Sequence, residues 1–302
     1  MPEFSEATVR LTAFVGIFTA MAVFEQLLPR RERFPARGRR WLTNWGMLIV
    51  DSAVLRVLFP AAAVGVALWA ESAGFGLFNL IDVPFWLALI FVVVALDFAV
   101  WLEHVVSHRW PWLWRIHKVH HADVDLDVTS ALRFHPLEII VSMLWKGALV
   151  ALLGAPAVAV LVFEIILNGM AMFNHSNVKL PLWLDRILRP AIVTPDMHRI
   201  HHSIIERETN TNYGFNLSVW DRLFGVYTEE PRGGQTGMII GLAEHQNREP
   251  TKLGWSLVLP FRTYKKIPEA EVLKNSAYAG ASEMPATPEA TIPAGRAETP
   301  SA

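Results

Sequence analysis

The stretch Trp101-Leu-Glu-His104-Val-Val-Ser-His108-Arg-Trp110-Pro-Trp112-Leu-Trp114-Arg-Ile-His117-Lys-Val-His120-His121 places five imidazoles directly after a long apolar run. The pattern recurs downstream as His198-Arg-Ile-His201-His202, with single histidines at His135 and His175. Ten of the eleven histidines of the chain fall between Trp101 and His202. Spacings of three and four residues put side chains on one face of a helix, so each cluster offers two or three imidazoles pointing one way. Neutral imidazole is a ligand for iron, zinc, copper and nickel. Three such clusters exceed what one tetrahedral zinc can use, which points to more than one metal ion. A lone histidine is usually a surface or core residue, so His245 is assigned no role. Packing does not account for two copies of His-x-x-His-His beside a His-x-x-x-His.

Around this stretch the chain reads as all-α. It has 302 residues, 52% of them apolar, and a positive mean hydropathy, which suits one integral membrane domain rather than two soluble ones. A formal net charge of −1 gives no reason to expect nucleic acid. There is no cysteine, so disulfides, thiolate sites and iron–sulfur clusters are excluded, and any metal must rest on nitrogen and oxygen ligands. The first apolar run is followed by arginines rather than a small-residue cleavage site, so no cleavable signal peptide is expected.

The expected spans are Thr8–Leu28, residues 44–70 and Val83–Leu102. Between the first two lies Pro29–Arg40, with six arginines and one glutamate, which the positive-inside rule places in the cytoplasm. Glu71–Asp82 carries no lysine or arginine, as an outer loop should. His104 and His108 then extend the third helix past the inner surface, with Trp110, Trp112 and Trp114 as interfacial anchors or core packing. Residues 136–171 are apolar but broken by Gly154-Ala-Pro156, which reads as a hairpin, tilted or partly spanning. The hairpin returns His175 to the side that His135 left, so all ten histidines reach the cytoplasmic face. The expected architecture is a helical bundle of about four spans, or three spans plus a hairpin, with a cytoplasmic helical cap holding a di-metal site. In segments, residues 1–100 form the N-terminal spans and 101–250 the catalytic region. Residues 251–274 form an amphipathic interfacial segment, and 275–302 a disordered tail. Asp97, Asp196, Asn212 and Asp221 are candidates to orient ligating imidazoles through their second nitrogen. Capping, turn formation or a bond to a neighbouring helix would explain the first three equally well.

Between about residues 85 and 230 the chain resembles the fatty acid hydroxylase / sterol desaturase superfamily of membrane-bound, histidine-rich di-iron enzymes. Besides the His clusters, the resemblance rests on Arg133-Phe-His135-Pro136, Asn174-His175-Ser176, Thr194-Pro-Asp-Met-His198, Asn210-Thr-Asn212-Tyr213-Gly214 and Trp220-Asp221-Arg222-Leu-Phe224-Gly225. It implies two irons, dioxygen as co-substrate, and a lipid that is hydroxylated or desaturated. It also implies the ligand set His104, His108, His117, His120, His121, His135, His175, His198, His201 and His202. Many relatives carry a further histidine four residues before the position of His175, where this chain has Ala171. His135 is then expected to make up the count. No Gly-x-Gly-x-x-Gly fingerprint is present, and His135-Pro136 is not followed by the glycines of a cytochrome b5 haem segment. A separate reductase or ferredoxin-like electron donor is therefore expected. The substrate could be a sterol, a hopanoid-like lipid, an alkylglycerol or the acyl chain of a polar lipid, and the motifs lean toward the bacterial monooxygenase-like branch. Two other classes compete. A zinc-dependent membrane lipid hydrolase would want His-Glu-x-x-His and fewer ligands. A metal transporter or haem protein would want histidines in the middle of spans.

Overall fold

The computed structural model describes residues 5–33 and 37–275, and among these the chain is helical, with isolated β-bridges in place of strands. Helix α1 (Glu6–Leu27) starts at Ser5, whose hydroxyl accepts the Thr8 N–H. Then come α2 (Arg37–Leu58), α3 (Ala62–Ser72), a single turn α4 (Leu77–Leu80) and α5 (Phe85–Arg109). The span expected over 44–70 is corrected: it is two helices, broken before Pro60, whose ring disfavours a helical residue ahead of it. Hydropathy averages across that break, because both sides of it are apolar. Helix α5 runs on to Arg109 and carries His104 and His108, as expected.

After α6 (Pro111–His121), helices α7 (Pro136–Leu153) and α8 (Ala157–Asn174) form the hairpin. At 18 residues each they are about 27 Å long, close to the hydrocarbon thickness of about 30 Å, so each arm is long enough to cross. The bend depends on Gly154, at φ +58°, lying against Gly76, at φ +95°: a Cβ on Gly76 would stand 2.2 Å from the Gly154 nitrogen. Among the described residues, five helical segments are long and apolar enough to cross a membrane, and the protein is a multi-pass membrane protein. Val92, Leu96, Val160 and Phe163 belong to its core, while Leu11, Val15, Trp86, Ile90 and Phe91 are exposed, as lipid-facing residues are.

The polar segments, including α9 (Leu182–Leu188) and α10 (Pro195–His201), gather at the end of the bundle where α5 and α8 stop and α7 begins. A buried ion network ties them to α2. The Arg40 guanidinium is fully enclosed and donates to both oxygens of Asp123 (2.6 and 2.9 Å) and to Asp127 (3.0 Å). Arg133 donates to the Val119 carbonyl, the Asn44 side chain and the Ser256 hydroxyl. Removing one partner of such a buried set costs about 3–5 kcal/mol, because a charge is left without compensation. The segment expected to lie at the interface from 251 is partly enclosed. Trp255 and Leu259 pack with Met47 and Val119, leaving Val258 and Phe261 exposed. The tail expected to be disordered falls, from 276 onward, outside the described residues.

Candidate metal centre

Helical periodicity sorts the histidines into two groups. On α6, His117 and His121 are four residues apart and share a direction, whereas His120 points to one side of it. On α10 and its cap, His198 and His202 share a direction and His201 diverges. His117 and His121 join His104 and His108 of α5, together with His201 from α10. His198 and His202 join His175 from the end of α8 and His120 from α6. Each His-x-x-His-His thus gives two rings to one group and one ring to the other. The candidate ligand atoms of each group lie within 4.8 Å of one another.

The rings are held by what their other nitrogens touch. His104 Nδ1 donates to the Tyr213 carbonyl (2.7 Å), His120 to Arg133 (3.1 Å), His175 to Ala171 (2.7 Å) and His201 to Thr211 (2.8 Å). His117 Nδ1 bonds Glu138 Oε1 at 2.6 Å, and His108 Nδ1 bonds Asn210 Oδ1 at 3.3 Å. Fixing Nδ1 as the donor turns the Nε2 lone pair inward, the arrangement that prepares imidazole for a metal. His104 and His117 bring their Nε2 atoms to 3.1 Å, His117 and His121 to 3.2 Å, His120 and His175 to 3.0 Å, and His175 and His198 to 3.1 Å. Nitrogens about 2.1 Å from one shared ion stand about 3.0–3.4 Å apart at bond angles of roughly 90–110°. The Nε2 atoms of His108 and His201 and both nitrogens of His202 are buried with no hydrogen-bond partner. Burial pushes His117 down to about 3 and His175 to about 4, and lowers His120, His198, His201 and His202 well below the ordinary range. They are neutral, as ligands must be. The residues present fit a pair of metal ions held by nitrogen alone.

Nine of the ten expected histidines come together, and His135 does not. It caps α7, accepting the Leu137 N–H at Nδ1 and donating from Nε2 to the Leu257 carbonyl, so both of its nitrogens are in use. None of the four residues expected to orient the rings accepts from an imidazole. Asp97 receives the Trp220 indole N–H. Asp196 pairs with Arg30 and Arg199. Asn212, at φ +53°, bonds Met197 and Thr228. Asp221 takes the Trp101 indole and the Tyr213 and Gly214 N–H groups, so it steadies the turn whose Tyr213 carbonyl holds His104. Sequence reasoning missed Glu138; its one signal was an acid at the start of a mostly apolar helix, four and eight residues ahead of Ser142 and Lys146. Trp114, expected at the interface, packs on His108 and His121, while Trp110 and Trp112 are exposed. A cavity of about 410 Å³ runs from His104 and His117 in among the spans, and Phe134, stacked on His120, forms part of its wall.

Fold and site define a multi-pass membrane protein with two histidine groups, each of which could hold a metal ion. A family model described as fatty acid hydroxylase matches residues 89–226, a range that contains all nine grouped histidines. An ornithine lipid hydroxylase of Rhizobium tropici is 30% identical over 236 residues, covering 75% of this chain and 69% of that protein. Human alkylglycerol monooxygenase is 30% identical over 163 residues, 53% of this chain and 34% of that protein. Human cholesterol 25-hydroxylase is 24% identical over 144 residues, 46% of this chain and 50% of that protein. No solved structure matches. The chain belongs to the fatty acid hydroxylase family, and it is an oxidoreductase.

Proposed function

We propose that this protein is a di-iron monooxygenase that hydroxylates a membrane lipid. In this reading His104, His108, His117, His121 and His201 hold one iron, and His120, His175, His198 and His202 hold the other. Such a pair, when bound, supplies activation of dioxygen and attack on an unactivated carbon–hydrogen bond. The chain supplies position and enclosure. Carbonyls and Glu138 fix the rings, buried apolar side chains such as Val100 and Leu132 keep bulk water from the cavity, and the cavity admits the lipid from between the spans. The observation that carries the reading is the convergence of nine imidazoles, eight of them buried and that of His108 half-buried, in sets of five and four. A hydrolytic zinc site keeps three protein ligands and an open position, so these sets argue against a zinc hydrolase. Hydroxylation is favoured over desaturation because the relatives are named hydroxylases and a monooxygenase.

Two electrons would come from a separate reductase or ferredoxin-like donor. The arginine-rich loop lies at the histidine end, since Arg30 pairs with Asp196 and Arg40 with Asp123. By the positive-inside rule that end faces the cytoplasm, of a bacterial inner membrane in this reading. The test is expression in a host lipid background under ¹⁸O-labelled dioxygen, with lipid mass spectrometry and iron analysis of the purified protein. A lipid gaining one labelled oxygen, together with about two bound irons, is expected. Oxygen drawn from water, or a lipid that only loses two hydrogens, would refute it.

A further inference from the structure

The cavity beside His104 and His117 is unlike a tunnel for a plain hydrocarbon. One wall is a polar stripe on α7, where Glu138, Ser142 and Lys146 follow one another at single turns and all face the cavity. Glu103 on α5 accepts the Ser142 hydroxyl at 3.2 Å, and Asp51 comes in from α2. The two basic side chains of the lining, Arg10 and Lys146, both pair with Glu164, at 2.6 and 3.7 Å. Among the described residues, none of Asp51, Glu103 and Glu138 has a lysine or arginine within ion-pair distance, although Lys146 acts on Glu103 from further off and Glu138 gives one oxygen to the His117 ring. Asp51 and Glu138 are only 5% and 9% exposed, and each has a carboxylate oxygen, Oδ1 and Oε2, with no hydrogen-bond partner. Buried acceptors are expensive to leave unmet.

The charges are also ordered in depth. Glu138 touches the ring of His117, whereas Lys146, eight residues along α7, lies about 12 Å further from the centre. Glu164 precedes His175 by eleven residues of α8, about 16 Å. The acidic part of the cavity is therefore its inner end, next to the histidines, and the basic part is remote from them. A cation is the group that answers three carboxylates around an enclosed space, and here the cation would be held against the metal-binding rings.

We infer that the inner end of this cavity is a receptor for an ammonium group, so that the substrate is a lipid with an amine-bearing polar head and the carbon presented to the centre belongs to that head rather than to an acyl tail. This rests on the hydroxylase reading above and narrows its substrate. A sterol, or the acyl chain of a neutral lipid, would leave Asp51 Oδ1 and Glu138 Oε2 dry and unpaired.

The test uses the full chain in detergent and three synthetic lipids with identical acyl chains. One bears an amino-acid head with a free ammonium, one is the neutral diacylglycerol, and one is the anionic phosphatidylglycerol. Retention of each is read by native mass spectrometry, without turnover. The ammonium lipid is expected to be retained at least tenfold over the other two. Asp51→Asn with Glu103→Gln, neither touching a grouped histidine, is expected to cut that preference at least tenfold while bound iron stays at the wild-type level. Each single variant is examined as well, so that misfolding of the pair does not decide the matter. Equal retention of the neutral lipid, preference for the anionic one, or an unchanged preference in folded variants would overturn the inference. Label from dioxygen found in an acyl tail or a neutral sterol would overturn it too while leaving the hydroxylase reading intact. Absence of both iron and labelled lipid would instead strike that reading.

Discussion

Replacing Glu138 by leucine removes the one side-chain carboxylate that, among the described residues, bonds a grouped imidazole, His117 Nδ1 at 2.6 Å. The bond is buried and charge-assisted, a kind that contributes about 1.5–3 kcal/mol. Loss of such a support to a ligating histidine typically costs about 10–100-fold in metal affinity, or about 1.4–2.8 kcal/mol, and the two figures agree. The loss should fall on one ion only. His117 belongs to the five-membered group, whereas the bonds of His120, His175 and His198 run to the Arg133 and Ala171 carbonyls and to one another. Chelator competition on the iron-loaded protein should therefore become biphasic: half the metal is stripped at a 10–100-fold lower chelator concentration and half at the wild-type value. Glu138→Gln keeps an acceptor for Nδ1–H but not the charge, so its shift should lie between wild type and leucine. A leucine variant with a single unshifted transition would refute the argument, as would equal loss of both ions.

Other outcomes follow from the same geometry. His120→Ala and His201→Ala should each lower bound iron and abolish turnover, whereas His245→Ala, with its ring between Trp255 and Tyr264, should keep both; elemental analysis and product formation decide. His135→Ala should retain its iron and lose about 1 kcal/mol of stability, the cost of a helix N-cap, read from thermal unfolding in detergent. Burial alone would raise the Asp127 carboxyl, but Arg40 at 3.0 Å outweighs it and holds the carboxyl below its ordinary value of 3.8. Its stabilisation is therefore complete above that value and is lost as pH falls through the lower folded one, so Asp127→Asn should flatten the dependence of stability on pH below about 4. Gly214→Ala sets a Cβ 2.7 Å from Val193 and 2.8 Å from the Leu217 carbonyl, which should cost about 1–3 kcal/mol and loosen the turn behind His104.

What the sequence disclosed depended on how local the signal was. The apolar runs of α1 and α5 are continuous, and their helices lie where hydropathy puts them. The division of the histidines was also open to inspection, since residues four apart on α6 and α10 must share a direction and the third must diverge. Other features were written in pairs far apart in the chain. Arg40 meets Asp123 across 83 positions, and no window of sequence reveals that this arginine in the first turn of α2 is fully enclosed. His135 looked like the other ligands because its neighbours, Arg133 and Pro136, suit the family pattern. Its exclusion comes from two backbone groups, Leu137 N–H and Leu257 C=O, which have no sequence signature. Glu138, Ser142 and Lys146 were visible as letters four apart but were absorbed into an apolar average.

The arginine-rich segment shows how one set of charges can serve two stages. While the loop is solvated, its excess of arginine acts on orientation, which is how it reads in the sequence. In the folded protein Arg30 holds Asp196 at the start of α10, Arg33 holds the enclosed Glu25 of α1, and Arg40 holds Asp123 just past α6. These are the helices that carry His198 and His201 and the three rings of α6, together with the α1 wall beside the cavity. A charge run that only oriented the first two spans could exchange arginine for lysine without consequence. This one cannot at Arg40, in the first turn of α2, because a lysine has no planar fork to reach both oxygens of Asp123 and also Asp127. Arg30, Arg33 and Arg40 are therefore part of the scaffold behind the histidine-bearing helices.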